Sequence, residues 1–340
     1  MNRNVFYHVF RRRRIIRCIL ATLMILPPVL LPAQTERIQV HDPVMIRQAD
    51  TYYLFCTGMG ISVWSSKDMK QWNREKPVFD EPPSWAVEAV PGYRGHTWAP
   101  DISYHNGRYY LYYSVSAFGK NTSCIGVATS ETLDPLSPDY RWVDHGKLIQ
   151  SVPGRDMWNA IDPNLVTDDD GTPWLVFGSF WDGIKLVKLD QSRLKVAEPQ
   201  EWHTVAARPR DYYTGERDAG EGSIEAPFLF KNRGFYYLFV SFDFCCRGLE
   251  SNYKVMVGRS DKITGPYVDR NGFKMIHGGG TAVLTGNKEW PGVGHNAVCH
   301  FDGQDYFICH GYDANDNGKP KLLINRLDWD EEGWPVVVNE

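Results

Sequence analysis

The sequence lacks the signals of an amphipathic helix, a zinc site and a membrane span. No stretch of its 340 residues repeats apolar positions at helical spacing, so we expect an all-β protein. None of its seven cysteines has the spacing of a zinc site. The apolar run near the N-terminus is interrupted by Pro27 and Pro28. It is also short for a spanning helix, which needs roughly 20 residues.

The first 33 residues have the order of a secretory signal peptide. Residues 11–17 hold five arginines, an apolar stretch follows from Cys18 to Leu31, and Ala33 offers a cleavage point. The alternative is an uncleaved membrane anchor, because the basic segment is long. We expect residues 1–33 to be removed and the protein to be secreted or periplasmic, with one domain over residues 34–340.

Acidic residues outnumber basic ones beyond this segment. Residues 1–33 contain six arginines and no acids, so their removal lowers the formal charge from −4 to −10. An acidic chain lacks the basic face that nucleic-acid or anionic-membrane binding requires. We therefore expect no nucleic-acid partner and no membrane contact after cleavage. We also expect a monomer.

Six cysteines follow the leader, and export would permit disulfides between them. A bond between the adjacent Cys245 and Cys246 would need a strained eight-membered ring, whereas Cys299 and Cys309 could pair across a hairpin. Buried free thiols are the alternative for most of the six.

One hairpin pattern recurs five times. Each copy begins near a proline or its equivalent, turns on Asp, Asn or Gly, and ends in an aromatic-rich strand. The starting residues are Pro43, Pro100, Pro163, Pro227 and Asn296. A third strand follows in most copies. Such repeats predict a five-bladed β-propeller, in which each sheet is one blade around a central channel. An irregular sandwich would not explain five evenly spread copies.

The starts of the five hairpins carry the candidate chemistry. The first strand of each blade lines the channel, so residues at these starts should converge at one end of it. They are Asp42, Trp98, Asp162, Glu225 and His295. Asp before Pro is ordinary turn chemistry, but acids in three of five repeats point to function. Like charges placed together raise at least one pKa, and glycosidic hydrolysis needs both a proton donor and a base for water.

The motifs at these starts resemble family 43 of the glycoside hydrolases. They are Val40–Pro43, Trp98–Asp101, Ala160–Asn164, Ser223–Pro227 and Gly292–Asn296. Within the family, Trp158–Asp162 and Asp243–Gly248 are most similar to the endo-1,5-α-L-arabinanases. The resemblance runs from about residue 38 to the C-terminus. It implies cleavage of internal α-1,5 linkages in arabinan, a polysaccharide of pectin side chains.

The resemblance also implies a role for each residue. Asp42 would be the general base that activates water, Glu225 the general acid, and Asp162 the residue that orients Glu225 and keeps its pKa raised. His295 would lie on the axis near a bound cation, often calcium. The alternative for His295 is a hydrogen-bonded histidine without a metal.

Four further residues are expected to bind the sugar chain. Trp98 and Phe118 would stack on arabinose rings, and Asn159 and Ser179 would hydrogen-bond to hydroxyls. Asp101, Asp182 and His310 are expected to be structural.

Two other functions remain open. One is an exo-acting arabinofuranosidase or β-xylosidase on the same scaffold, and the other is a binding propeller without catalysis. Asp42 and Glu225 come from blades that are not neighbours, so we expect their carboxyl groups to stand about 6.5–9.5 Å apart, as an inverting enzyme requires.

Overall fold

The computed structural model of the protein describes Met1, residues 37–211 and residues 213–338. Within these ranges the chain forms five antiparallel sheets in sequence order, which confirms the predicted all-β, five-bladed propeller. Apart from Met1, the predicted signal peptide at 1–33 lies outside the described residues. No helix in the described ranges is long and apolar enough to cross a membrane.

Each blade contains four consecutive strands, and blade 2 has a fifth. Blade 1 comprises Val44–Gln48, Thr51–Cys56, Ser62–Ser66 and Asn73–Arg74. Blade 2 comprises His96–His105, Arg108–Val115, Ser123–Ser130 and Val143–Ser151, with Gly58–Met59 beside its first strand. Blade 3 comprises Asn164–Thr167, Pro173–Phe177, Ile184–Lys188 and Trp202–Ala206. Blade 4 comprises Ile224–Asn232, Phe235–Phe242, Lys254–Ser260 and Thr281–Leu284. Blade 5 comprises Val293–Phe301, Gln304–Asp313, Lys319–Trp329 and Pro335–Val338.

The helical segments among the described residues are short. They are the α-helix Ser84–Ala89 and the 3-10 helices Gly248–Glu250, Met275–His277 and Ala314–Asp316. The α-helix buries only Ala86 and contacts blade 2. These segments connect strands and do not interrupt the sheets.

The hydrophobic core lies between neighbouring blades. In the second strand of blade 4, Tyr237 and Phe239 pack against blade 5, while Leu238 and Val240 pack against blade 3. Successive side chains of a strand point to opposite faces, so a strand between two blades is apolar at every position. This explains the aromatic-rich runs that recur in the sequence.

The ring of blades closes between blade 1 and blade 5. The segment before blade 1 joins the third strand of blade 5, because Val40 N donates to Pro320 O and Leu322 N donates to Ile38 O. Val40 and Leu322 also belong to one buried cluster with residues of both blades. Blade 1 thus has a neighbour on each side.

The cysteines differ in part from the expectation. Cys245 and Cys246 form a disulfide, whereas Cys56, Cys124, Cys299 and Cys309 are buried free thiols. The considered pairing of Cys299 with Cys309 is wrong, because the two side chains lie on opposite faces of blade 5. Cys299 packs towards blade 1 and Cys309 towards blade 4.

Candidate active site

In each blade one residue with a side chain has the left-handed backbone conformation, either just before the first strand or within its first four residues. These residues are Asp42, Ala99, Asp162, Ala226 and His295, with φ between 43° and 58°. Such a φ is uncommon for residues with a side chain, so its recurrence marks one equivalent position. Trp98 and Glu225 were expected at this position, and that expectation is wrong by one residue. Pro100 and Pro227 align the preceding alanines instead, so only two of the five equivalent residues are acidic.

The backbone amides at four of these positions are held by the preceding blade. Ala99 N donates to Thr57 Oγ1 (2.8 Å), Asp162 N to Ser114 Oγ (3.0 Å), His295 N to Ser241 Oγ (2.9 Å) and Asp42 N to His310 Nδ1 (3.2 Å). Thr57 directly follows the second strand of its blade. The other three acceptors lie within the last four residues of theirs. Since blade 5 precedes blade 1 in the ring, these contacts link the catalytic end of the propeller from blade to blade.

Blade 4 departs from this pattern. Gly178 occupies the acceptor position of blade 3, since its amide donates to Ile161 O as the amide of Thr57 donates to His41 O. A glycine offers no side-chain acceptor, and Ala226 N donates to Asp162 Oδ2 instead (3.1 Å). Ser179, the next residue, donates to Glu225 Oε2 (2.8 Å). The side chain of Asp162 thereby fixes the backbone next to Glu225.

Asp42 is surrounded by hydrogen-bond donors. Its Oδ1 lies 2.8 Å from His41 Nδ1 and 3.0 Å from His295 Nδ1, and its Oδ2 accepts from Thr57 Oγ1 (2.6 Å). Burial opposes the ionisation of Asp42, but His295 and His41 outweigh burial and hold the pKa of Asp42 well below its usual range. Burial would lower the pKa of His295, but Asp42 outweighs it and raises that pKa to about 9. Asp42 is therefore a carboxylate at neutral pH.

His310 accepts a hydrogen bond from the backbone amide of Asp42. It is fully buried, and its ring stacks on His41 with centroids 3.9 Å apart. Burial, reinforced by His41, lowers the pKa of His310 well below its usual value. The ring is therefore neutral, which leaves Nδ1 free to accept the hydrogen bond from Asp42 N.

Glu225 is held by neutral donors. Ser179 donates to Oε2 and Tyr253 Oη donates to Oε1, each at 2.8 Å. Tyr253 is buried, and burial together with Glu225 raises its pKa well above the usual value, so its hydroxyl keeps its proton. Glu225 itself is half-buried and begins the first hairpin of blade 4. Its two oxygens are thus oriented without a nearby salt bridge to Lys or Arg among the described residues.

Asp162 interacts electrostatically with both of the other acids. Burial raises the pKa of Asp162 to about 8; His295 opposes this rise, and the charges of Glu225 and Asp42 add to it. Its contacts with Ser114 and Ala226 are neutral. Asp42, Asp162, Glu225 and His295 therefore act on one another, as the sequence predicts for one site.

The predicted sugar-binding residues lie at the same end of blades 2 and 3. Trp98 is half-buried and is the register partner of Ser114, and Phe118 follows the second strand of blade 2 and is 78% exposed. Asn159 precedes Asp162, and its buried Oδ1 has no partner among the described residues. The hydroxyl of Ser179 donates to Glu225. Their contacts with sugar remain predictions.

Several residues of the site are missing from the sequence prediction. They are His41, Thr57, Tyr253 and Tyr312. His310 was expected to be structural, and it does bind the backbone of Asp42. An alignment of the ends of the second strands would have indicated His310, because it falls with Thr57, Ser114 and Ser241. No comparable signal marks Tyr253, which precedes the third strand of blade 4.

Two groups of side chains in the described ranges bring three potential metal ligands together. One is His41, Asp42 and His310, and the other is His41 with the disulfide-bonded Cys245 and Cys246. Neither suits calcium, which takes about six to eight oxygen ligands. The predicted metal residue, His295, lies in neither group. Its Nδ1 is directed at Asp42, and its raised pKa keeps a proton on Nε2, so a cation near His295 would be held largely through water.

The sequence as a whole matches a known enzyme family. The model of glycosyl hydrolases family 43 matches residues 36–335. The chain belongs to glycoside hydrolase family 43. The predicted resemblance is thus confirmed over nearly the whole propeller of this family 43 enzyme.

Two relatives and one solved structure place the enzyme within the family. It is 52% identical to the extracellular exo-α-(1→5)-L-arabinofuranosidase ArbA of Cellvibrio japonicus, over 89% of this chain and 87% of that protein. It is 46% identical to the extracellular endo-α-(1→5)-L-arabinanase 1 of Bacillus subtilis, over 87% of each chain. The structure of Cellvibrio cellulosa α-L-arabinanase complexed with arabinohexaose is 51% identical, with a TM-score of 0.88, and covers 89% of this chain and 96% of that one.

Replacing Asp162 by Asn should make the stability of the enzyme less dependent on pH. The pKa of Asp162 is about 8 in the folded protein, against about 3.9 in an unfolded chain. Between these values the folded state keeps a proton that the unfolded state releases. The free energy of unfolding should therefore fall as the pH rises from about 4 to about 8, by at most about 1.4 kcal/mol for each pH unit.

Urea unfolding of the wild type and Asp162→Asn at about pH 5 and about pH 7 measures this contribution. The wild type should lose more stability than the variant between the two conditions. An equal change in both proteins would contradict the raised pKa of Asp162.

Proposed function

We propose that this family 43 enzyme is a secreted arabinanase that cleaves internal α-1,5-arabinofuranosyl linkages of arabinan by a single displacement. The relatives named as arabinan-cleaving enzymes support the substrate, and those named extracellular support secretion or a periplasmic location. A neutral polysaccharide also agrees with an acidic chain that has no expected nucleic-acid partner. We retain the expectation of a monomer.

The observation that carries the proposal is the different environment of two carboxyl groups. Asp42 is contacted by His41 and His295 and is held as the anion, whereas in the described part of the chain Glu225 accepts hydrogen bonds from the hydroxyls of Ser179 and Tyr253 alone. An anion held by two imidazole donors suits a base, and a carboxyl group that lacks such partners suits the proton donor. Inverting glycoside hydrolysis requires this division.

Each residue then has one role in the reaction. Asp42 accepts a proton from water as the water attacks the anomeric carbon, and Glu225 gives a proton to the departing glycosidic oxygen. Asp162 positions Glu225 through the amide of Ala226, to which it is hydrogen-bonded. His41 and His295 keep Asp42 ionised until the water is deprotonated.

Substitution of either reacting carboxyl group should abolish most of the activity. Asp42→Asn and Glu225→Gln should each lower kcat by at least about 10²- to 10⁴-fold, because each removes a proton transfer from the transition state. Hydrolysis of linear arabinan measures kcat, and thermal melting measures the stability of each variant separately. Glu88→Gln, an exposed change on the short helix, is the control. Near-wild-type turnover of Glu225→Gln would remove Glu225 as the acid.

The mode of attack is tested by the products of linear arabinan. An endo-acting enzyme should release a ladder of oligosaccharides early and lower the viscosity of the solution quickly. The second candidate function is exo action, which the 52% identical relative favours because it is named an exo-arabinofuranosidase. Release of one short product from the first minutes, with little loss of viscosity, would establish exo action and contradict endo action.

The stereochemistry of the product tests the role of Asp42. A single displacement should give a first-formed sugar of inverted anomeric configuration and no glycosyl-enzyme intermediate. Proton NMR during the first minutes, before mutarotation, identifies the anomer. Release of the retained α-anomer, or transfer of arabinose to added methanol, would make Asp42 a nucleophile.

We further propose that a calcium ion is bound on the axis near His295 and is held largely through water. A cation there would add positive charge beside Asp42 while leaving the contact of Nδ1 with Asp42 intact. Exhaustive chelation should lower activity or the melting temperature, and calcium should restore it. If elemental analysis confirms metal removal and neither quantity changes, His295 has a purely hydrogen-bonding role.

A further inference from the structure

The turn after the second strand of blade 4 carries a disulfide next to the proposed base. Cys245 and Cys246 are bonded to each other, and Cys246 is exposed with a left-handed φ of 65°. A residue with a side chain in this conformation costs about 1 kcal/mol or more unless its surroundings fix it. The ring that the disulfide closes restricts the backbone of both cysteines and so fixes the direction of the Cys246 amide.

That amide begins a chain of hydrogen bonds that ends on Asp42. Cys246 N donates to Tyr312 Oη at 2.7 Å, and Tyr312 Oη lies 2.9 Å from His41 Nε2. His41 Nδ1 lies 2.8 Å from Asp42 Oδ1. The sulfur of Cys246 is itself 3.7 Å from His41 Nε2. Three consecutive contacts therefore connect the disulfide turn with a carboxylate of the reaction.

The chain has a defined direction. Because Tyr312 Oη accepts a hydrogen bond from the Cys246 amide, its own hydroxyl proton can be directed at the Nε2 of a neutral His41. A neutral His41 then carries its ring proton on Nδ1, where it is donated to Asp42. A protonated His41 also has a proton on Nδ1. In both cases the position of Tyr312 determines how the imidazole is presented to Asp42.

We propose that the Cys245–Cys246 disulfide is a positioning device for the general base, acting through the Cys246 amide, Tyr312 and His41. The inference rests on the proposed function, in which Asp42 is the base. The disulfide contributes no proton to the reaction. It holds Tyr312 and His41 so that Asp42 keeps one orientation towards the attacking water.

Reduction of this one bond is chemically accessible. A dithiol such as dithiothreitol supplies two electrons and two protons, the S–S bond breaks into two thiols, and the reagent is oxidised to its cyclic disulfide. Cys246 is exposed, so the reagent can reach it. The other four cysteines in the described ranges are already free thiols. Reduction therefore changes a single bond of the described propeller.

The test compares kcat and KM for a linear arabino-oligosaccharide before and after reduction. We expect kcat to fall by about 10- to 100-fold, the size of effect that a misplacement of about 1 Å produces. KM should stay within about twofold, because a misplaced base weakens the transition state and not substrate binding. Alkylation of the new thiols and mass spectrometry verify reduction, and circular dichroism verifies that the fold is kept.

Tyr312→Phe tests whether the effect passes through the hydroxyl. It should lower kcat similarly with the disulfide intact, and reduction should then have no further effect, since both changes break one chain of contacts. The matched control is Tyr267→Phe, which removes another buried tyrosine hydroxyl whose partner is Ile263 O. This control should keep the wild-type kcat and its sensitivity to reduction.

Three results would overturn the proposal. They are an unchanged kcat after verified reduction, a raised KM at unchanged kcat, and a Tyr312→Phe variant with wild-type kcat. The second would assign the disulfide to substrate contact. If reduction unfolds the protein, Tyr312→Phe decides alone. An oxidised enzyme that is active but insensitive to reduction contradicts only this inference, whereas one inactive on arabinan removes the proposed function and the base with it.

Discussion

The site depends on the backbone amides that stand at the starts of the five inner strands. The residues that carry these amides are in the left-handed conformation. Each amide needs an acceptor, because a buried amide without a partner costs free energy comparable to a lost hydrogen bond. In four blades the acceptor is a side chain of the preceding blade, such as Thr57 for Ala99 or His310 for Asp42. Packing between blades and the placement of the reacting side chains are therefore one constraint.

The fourth blade shows how a repeated contact was adapted for chemistry. Gly178 provides no side-chain acceptor. Its own φ is 132°, and a side chain added there would meet the carbonyl oxygen of Gly183. The amide of Ala226 is instead satisfied by Asp162, and Ser179 is free to bind Glu225. Where blade 3 has a glycine as its acceptor residue, Asp162 thus contacts the backbone next to Glu225. An apolar residue at position 162 would leave this amide without its partner.

The sequence was sufficient for the blade count, because the hairpin recurs, and for Asp42 and Asp162, which share the equivalent position before a proline. Glu225 lies one residue before that position, because Pro227 aligns Ala226 with Asp42 and Asp162. His41, Tyr253 and Tyr312 could not be found by repetition, because each occurs in one blade only and meets its partner through folding. The alternation of a strand, by contrast, already places Cys299 and Cys309 on opposite faces.

The two buried aspartates show that burial alone does not set protonation. Asp42 and Asp162 are similarly buried, at 8% and 7% exposure, and desolvation opposes ionisation of both. Asp42 nevertheless has a lowered pKa and Asp162 a raised one. The difference lies in their direct partners, which are two imidazoles and a hydroxyl for Asp42 but a backbone amide for Asp162. His295 contacts Asp42 directly and stabilises that carboxylate, whereas at Asp162 its charge is outweighed by burial and by the charges of Glu225 and Asp42.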